Sequence, residues 1–144
     1  MKHVTKPWGH ELWIADGSTT PYAAKRILFK AGNRTSLQVH EYKIETNYVL
    51  SGEGILHLSI EPLDVEKFLI EGMTTKQVEA YENTFAVIEL LPGTVFNVHP
   101  GFVHRVIAKT DLEFIETSTT ELDDVIRLQD DSNRTHGRIS REHE

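Results

Sequence analysis

The stretch GNRTSLQVHEYKIETNYVLSG, residues 32–52, decides the fold and carries the first chemical signal of the chain. Alternate residues of a β-strand project from the same face, so Gln38 and His40 are expected to lie side by side. The loop 41–44 then reverses the chain and returns Glu45 on a neighbouring strand. A glycine at each end of the stretch marks where the strands turn.

A second glycine-framed stretch, GTVFNVHPGFVH at residues 93–104, ends on His104 just after the turn at Pro100-Gly101. An amide oxygen, two imidazoles and a carboxylate that point into one cavity form a ligand set for a divalent transition metal. The predicted metal ligands are therefore Gln38, His40, Glu45 and His104. The alternative is a set of polar core residues that hydrogen-bond to one another.

Short β-rich runs, bounded by Gly, Pro, Asn and Asp, dominate the chain and are typical of an antiparallel sandwich or barrel. The predicted strands are residues 22–30, 36–40, 46–50, 55–60, 85–91, 95–98, 104–109 and 112–117. Residues 61–82 are more than a simple connection needs, and we expect an additional hairpin or an excursion over one barrel edge. The spacing of apolar residues in 119–129 predicts a short helical segment, and the chain beyond it is polar.

At 144 residues and 16.4 kDa the chain is expected to form a single domain. Its parts would be an N-terminal segment (1–20), the barrel (21–118), and a C-terminal helical segment with a polar tail (119–144). A net charge of −7 argues against a nucleic-acid surface, and no apolar run suggests a membrane span. The N-terminus has no apolar signal core, so a cytoplasmic location is expected.

The two glycine-framed stretches resemble the paired motifs of the cupin superfamily, which implies an all-β double-stranded β-helix, or jelly-roll, barrel. A narrower resemblance is to the cupin domain of type II phosphomannose isomerases, whose first motif also carries Gln where most cupins have His. The residues that carry it are Lys6-Pro7-Trp8-Gly9, Ser36-Leu37-Gln38 and the run DDVIRLQDD at residues 123–131. That family has a different sequence at Thr46-Asn47 and Ser132-Asn133.

This resemblance implies a metal-dependent aldose–ketose isomerase that interconverts mannose 6-phosphate and fructose 6-phosphate. One divalent ion per chain would be expected, with zinc preferred over manganese, iron, cobalt or nickel. Two alternatives stay open: a non-catalytic carbohydrate-binding cupin, and an Fe(II)-dependent dioxygenase built on the two histidines and the glutamate. Cupin barrels often pair through edge strands, so a homodimer is also expected.

Two further charged residues lie an even number of positions from apolar residues on the same predicted strand, Lys25 from Ile27 and Glu116 from Phe114. Each is therefore expected to project from the same face of the strand as its apolar neighbour. They are either a buried ion pair that fixes strand register or a functional pair that lines the metal cavity. With Arg127, they are the candidates for proton transfer and charge stabilisation. The candidates for binding a substrate phosphate are Arg134, Lys43 and Arg34, since basic side chains match phosphate oxygens.

Overall fold

The computed structural model describes residues 2–129 and 137–139 of the chain. These residues form twelve β-strands and two short α-helices. In chain order the elements are β1 (His3–Lys6), β2 (Gly9–Asp16), β3 (Ala23–Phe29), β4 (Leu37–Val39), β5 (Glu45–Ser51), β6 (Gly54–Leu58), α1 (Val65–Glu71), α2 (Thr75–Glu82), β7 (Ala86–Leu90), β8 (Val95–Val98), β9 (His104–Ala108), β10 (Leu112–Ser118), β11 (Val125–Gln129) and β12 (Gly137–Ile139). All eight predicted strands are present, with ends that differ by at most two residues.

The strands form two six-stranded sheets, in the order β1-β2-β3-β10-β5-β8 and β12-β11-β4-β9-β6-β7. Every neighbouring pair is antiparallel. From β3 to β11 the chain passes from one sheet to the other at each connection except the one between β6 and β7. This is the winding of a jelly roll, and it confirms the predicted all-β class.

Apolar side chains from both sheets pack together in the interior. The largest cluster consists of Trp8, Ile27, Phe29, Val49, Leu56, Leu90, Phe96, Val98, Val106, Ala108, Leu112 and Phe114. The ring centroids of Trp8 and Phe29 lie 4.0 Å apart, so the predicted N-terminal segment contributes directly to this core. That segment also forms β1 and β2, which extend the first sheet beyond β3.

Residues 61–82 contain the two helices, so the hairpin alternative is wrong and the excursion is helical, which the sequence analysis did not predict. The Asp64 side chain accepts a hydrogen bond at the start of α1, and Thr74 forms a capping box with Gln77 at the start of α2. Apolar residues of this region, including Phe68 and Val78, pack on a second cluster that contains Leu37, Val39, Val103, Ile126 and Leu128. The helices therefore cover the outer face of the second sheet.

In the described part of the chain, neither helix is long and apolar enough to cross a membrane.

The prediction of a helical segment at 119–129 is wrong, because residues 125–129 form strand β11. Four successive residues, 125–128, are buried, since β11 has the barrel interior on one side and the helix-covered cluster on the other. A strand buried on both faces carries apolar residues at both parities, and that pattern resembles helical spacing.

Gly52 and Gly93 both adopt a left-handed conformation, with φ of 86° and 90°. A Cβ at Gly52 would overlap the carbonyl oxygen of Asp111, whereas a Cβ at Gly93 would have no atom within 4 Å. We predict that Gly93→Ala lowers the free energy of unfolding by about 1–2 kcal/mol, the cost of the left-handed conformation alone. Gly52→Ala should cost about 1–3 kcal/mol more because of the overlap. Urea denaturation of both variants checks this, and equal losses would contradict the steric argument.

Candidate metal centre

Three of the four predicted metal ligands converge inside the barrel. His40 follows β4, His104 begins the adjacent strand β9, and Glu45 begins β5 of the other sheet. One nitrogen from each imidazole and one oxygen from the carboxylate all lie within 4.8 Å of one another. The three side chains are almost fully buried, with exposures of 1% for His40, 5% for Glu45 and 3% for His104.

Backbone carbonyl groups orient both histidines. The Nδ1 atom of His40 lies 2.7 Å from the carbonyl oxygen of Asp124, and Nδ1 of His104 lies 3.1 Å from that of Phe102. A carbonyl oxygen can only accept, so each Nδ1 carries the proton and each Nε2 keeps a lone pair when the ring is neutral. This is the arrangement in which metal-binding histidines are commonly held.

The Nε2 atoms of His40 and His104 face the carboxylate of Glu45 but lie too far from it for good hydrogen bonds. The distance from Nε2 to the nearer carboxylate oxygen is 3.5 Å for His40 and 4.0 Å for His104. Within the described residues, Nε2 of His40 is buried and has no hydrogen-bond partner. A buried polar atom without a partner is costly, and a metal ion between the three ligands would satisfy it. The residues present therefore fit a metal ion.

The protonation states suit a metal as well. Burial lowers the pKa of His104 to about 4, and the neighbouring His40 acts in the same direction, so the ring is neutral near pH 7. Burial would raise the pKa of Glu45, but the Lys43 ammonium group and the two histidines hold it well below its ordinary value. Neutral imidazole and ionised carboxylate are the forms that bind metal ions.

A row of buried charges leads away from Glu45. The Nζ atom of Lys43 lies 3.3 Å from Glu45 and 3.7 Å from Glu116. The Nζ atom of Lys25 lies 3.5 Å from Glu116 and 2.7 Å from Glu11. Burial opposes the charged form of Lys43, but the carboxylates of Glu116 and Glu45 outweigh it and raise its pKa.

The cavity beside the metal ligands is small, about 50 Å³. Its lining residues are Trp8, Glu11, Ile27, Phe29, Thr35, Ser36, Gln38, His40, Lys43, Glu45, Asn47, Phe96, His104, Val106, Phe114 and Val125. Glu11 and Lys43 line this space, whereas Lys25 and Glu116 do not line it and connect the other two through ion pairs. Space of this size holds an ion and a few atoms of a ligand, far below the roughly 300–1,000 Å³ of pockets that enclose drug-sized molecules.

The remaining predicted site residues are placed less centrally. Gln38 lines the cavity, and its side-chain oxygen accepts a hydrogen bond from Ser36 at 3.0 Å. Arg127 is buried on β11 with its Cα opposite that of Gln38. Arg34 is half-buried in the connection before β4 and does not line the cavity. Arg134 lies outside the described residues.

The sequence analysis missed several site residues, of which Asn47, Glu11 and Asp124 matter most. Asn47 is fully buried and lines the cavity; its Nδ2 donates to Glu45 at 3.4 Å, and its Oδ1 has no partner among the described residues. Its shared parity with Glu45 on β5 was a signal that could have found it. Asp124 gave no such signal, because its contacts join segments more than eighty residues apart.

No protein-family model matches this chain, and no curated protein matches it. Several solved structures, in contrast, are similar to it. The chain is similar to the capsular polysaccharide assembling protein CapF from Staphylococcus aureus, with 18% identity and a TM-score of 0.62 over 89% of this chain and 31% of that one. It is also similar to KdgF from Halomonas sp., with 20% identity and a TM-score of 0.59 over 86% and 90% of the two chains.

A third similar structure is oxalate decarboxylase from Bacillus subtilis, described with Mn(II) centres. Identity is 16% and the TM-score is 0.64, over 89% of this chain and 30% of that one. The chain thus spans about a third of the length of CapF and of oxalate decarboxylase. At these identities the likeness shows the fold, which is the cupin jelly roll.

We predict that His40→Ala, Glu45→Gln and His104→Ala each lower the affinity for Zn²⁺ by more than 100-fold. Loss of a contact that merely supports a ligand already costs about 10–100-fold. Isothermal titration calorimetry and metal analysis measure the effect, with His99→Ala as the control, because His99 is exposed and outside the cluster. A Glu45→Gln protein that still binds one zinc ion tightly would contradict the assignment.

Proposed function

We propose that the protein is a metal-dependent enzyme that moves a proton between adjacent carbons of a hydroxy-carbonyl substrate, as an aldose–ketose isomerase does. The observation that carries the proposal is the buried convergence of His40, Glu45 and His104 beside the ammonium group of Lys43. Gln38, which lines the same cavity, is proposed as the fourth ligand. When bound, the ion would supply Lewis-acid stabilisation of negative charge on the substrate oxygens.

The residues that face the cavity then take defined roles. Lys43 keeps its proton, because two carboxylates surround it, and so acts through its positive charge on a developing oxyanion. Glu11, which lines the cavity, is proposed to take a proton from the carbon next to the carbonyl and return it to the adjacent carbon. The sequence pointed to Glu116 and Lys25 for proton transfer, but neither lines the cavity, which favours a supporting role that holds Lys43 and Glu11 in place.

The cavity sets how a sugar phosphate would bind. A space of about 50 Å³ takes the reacting carbons and their oxygens, so the rest of a hexose phosphate would lie at the mouth. The buried Oδ1 of Asn47 would accept a hydrogen bond from a substrate hydroxyl. Arg127, Arg34 and Arg134 are the proposed phosphate partners. The resemblance to phosphomannose isomerases supports mannose 6-phosphate as the substrate.

Zinc is the proposed ion, since isomerisation needs no redox change. The manganese of the similar oxalate decarboxylase makes Mn²⁺ the next to test. Two imidazoles and one or two oxygen ligands suit several divalent metals, so the assays should compare ions loaded one at a time.

We predict that the metal-loaded protein converts mannose 6-phosphate to fructose 6-phosphate and that Glu11→Gln lowers kcat by about 10²–10⁴-fold through loss of the proton acceptor. A coupled spectrophotometric assay measures the rate, and metal analysis checks that the variant keeps its ion. Glu53→Gln is the matched control, because Glu53 is exposed and lies in a turn between β5 and β6.

Binding of sugar phosphates without turnover would contradict the isomerase and favour a carbohydrate-binding protein. A second catalytic candidate is an Fe(II)-dependent dioxygenase, because the two histidines and one carboxylate that converge here are the ligand set of many non-haem iron oxygenases. Oxygen consumption by the Fe²⁺-loaded protein with a substrate would support that candidate, since isomerisation consumes no oxygen.

We also propose that the protein is a homodimer. Apolar side chains on the outer face of the first sheet support this, among them Ile14 (57% exposed), Tyr48 (48%) and Val95 (57%). Tyr48 and Val95 are cross-strand partners, so they form a continuous apolar surface. Light scattering should give twice the chain mass of 16.4 kDa, and Tyr48→Glu should shift the protein towards monomer. A wild-type monomer at micromolar concentration would contradict the proposal.

A further inference from the structure

The loop 41–44 joins two of the candidate metal ligands, His40 and Glu45, and its backbone is held by a distant segment, residues 119–124. The Asp124 carboxylate accepts hydrogen bonds from three successive backbone N–H groups, those of Glu41 at 3.0 Å, Tyr42 at 2.6 Å and Lys43 at 2.9 Å. The fourth, from Ile44, is accepted by the Thr119 hydroxyl at 3.1 Å. Every backbone donor between the two ligands therefore has its acceptor in residues 119–124.

The same segment makes two further contacts with this region. The backbone N–H of Thr119 donates to the carbonyl oxygen of Ile44 at 3.1 Å. The carbonyl oxygen of Asp124 accepts the Nδ1 hydrogen of His40 at 2.7 Å. Asp124 thus fixes the ring orientation of one ligand through its backbone and the path of the chain to the next ligand through its side chain.

The segment is itself well anchored. It leads directly into β11, whose Ile126 pairs with Val39 on β4, the residue before His40. Burial would raise the pKa of Asp124, but the three backbone N–H groups lower it, so the acceptor is a charged carboxylate. Hydrogen bonds to a charged acceptor are about twice as strong as neutral ones.

We propose that residues 119–124, here called the clamp segment, preorganise the metal centre, with Asp124 and Thr119 as positioning residues that act through His40 and Glu45. The inference rests on the proposed metal centre but not on the isomerase reaction. Without the clamp, the four N–H groups of loop 41–44 would turn to water, and His40 and Glu45 would no longer be held at a fixed separation. Supporting contacts of this kind commonly change metal affinity by about 10–100-fold.

The chain offers a matched set of variants that separates this role from general stability. Asp124→Asn replaces one of the two oxygens that accept backbone N–H groups by an NH2 donor, and Thr119→Val removes the hydroxyl acceptor. Asp111 and Thr110 accept the backbone N–H groups of Ala31 and Glu53 away from the site, at 2.8 and 2.9 Å. Asp111→Ala and Thr110→Val therefore remove bonds of the same kind without touching the loop.

The experiment titrates Co²⁺ into the folded full-length proteins and records both the affinity and the visible absorption spectrum of the bound ion. We expect Asp124→Asn and Thr119→Val to weaken Co²⁺ binding by about 10–100-fold and to alter the spectrum, because ligand geometry changes. The two control variants should bind as the wild type does, even where they lower the melting temperature. Thr119→Val decides the matter if Asp124→Asn fails to fold.

Wild-type affinity and spectrum in the folded clamp variants would overturn the inference. Equal losses in the clamp and control variants would do so too, because the effect would then be one of stability. A wild-type protein that binds no Co²⁺ would overturn the metal centre and the clamp together. Tight Co²⁺ binding that depends on the clamp, in a protein inactive on sugar phosphates, would support the clamp and contradict the isomerase.

Discussion

Glu45 is a carboxylate buried inside the barrel, and the arrangement of the interior depends on how its charge is balanced. Burying an unpaired charge is prohibitively costly, so neighbouring groups must compensate. Lys43 does so in part, but it also faces Glu116, which in turn faces Lys25 and, through it, Glu11. Glu45 stands at one end of this row, beside the two imidazoles. A divalent cation there would complement the charge of Glu45 and use the two imidazole lone pairs that face it.

The position of the site follows from the two-sided burial of the second sheet. Its strands β4 and β11 have the cavity on one face and the cluster under the helices on the other, so that side chains such as Leu37 and Val39 are completely inaccessible. On β9, Arg105 is also fully buried and donates to Glu82 of α2. Strands packed on both faces have little freedom to shift. Ligands carried at their ends, His40 and His104, are therefore held by packing as well as by their hydrogen bonds to carbonyl groups.

Much of the fold could be predicted from the sequence because glycine-bounded strands leave a local signal, and strand parity correctly put Lys25 and Glu116 on the inner side. The three converging ligands could be predicted for the same reason. The two covering helices and β11 could not, since a strand buried on both faces loses the alternation that identifies it. The clamp on loop 41–44 was also out of reach, because it depends on contacts between segments far apart in the chain.

The central claim is that two imidazoles and one carboxylate share one metal ion inside the barrel. X-ray absorption spectroscopy at the zinc edge of the metal-loaded protein tests it most directly. The structure predicts scattering from two histidine rings, with Zn–N distances of about 2.0–2.1 Å, together with oxygen ligands. A spectrum with oxygen ligands alone and no histidine scattering would place the ion elsewhere and contradict the claim.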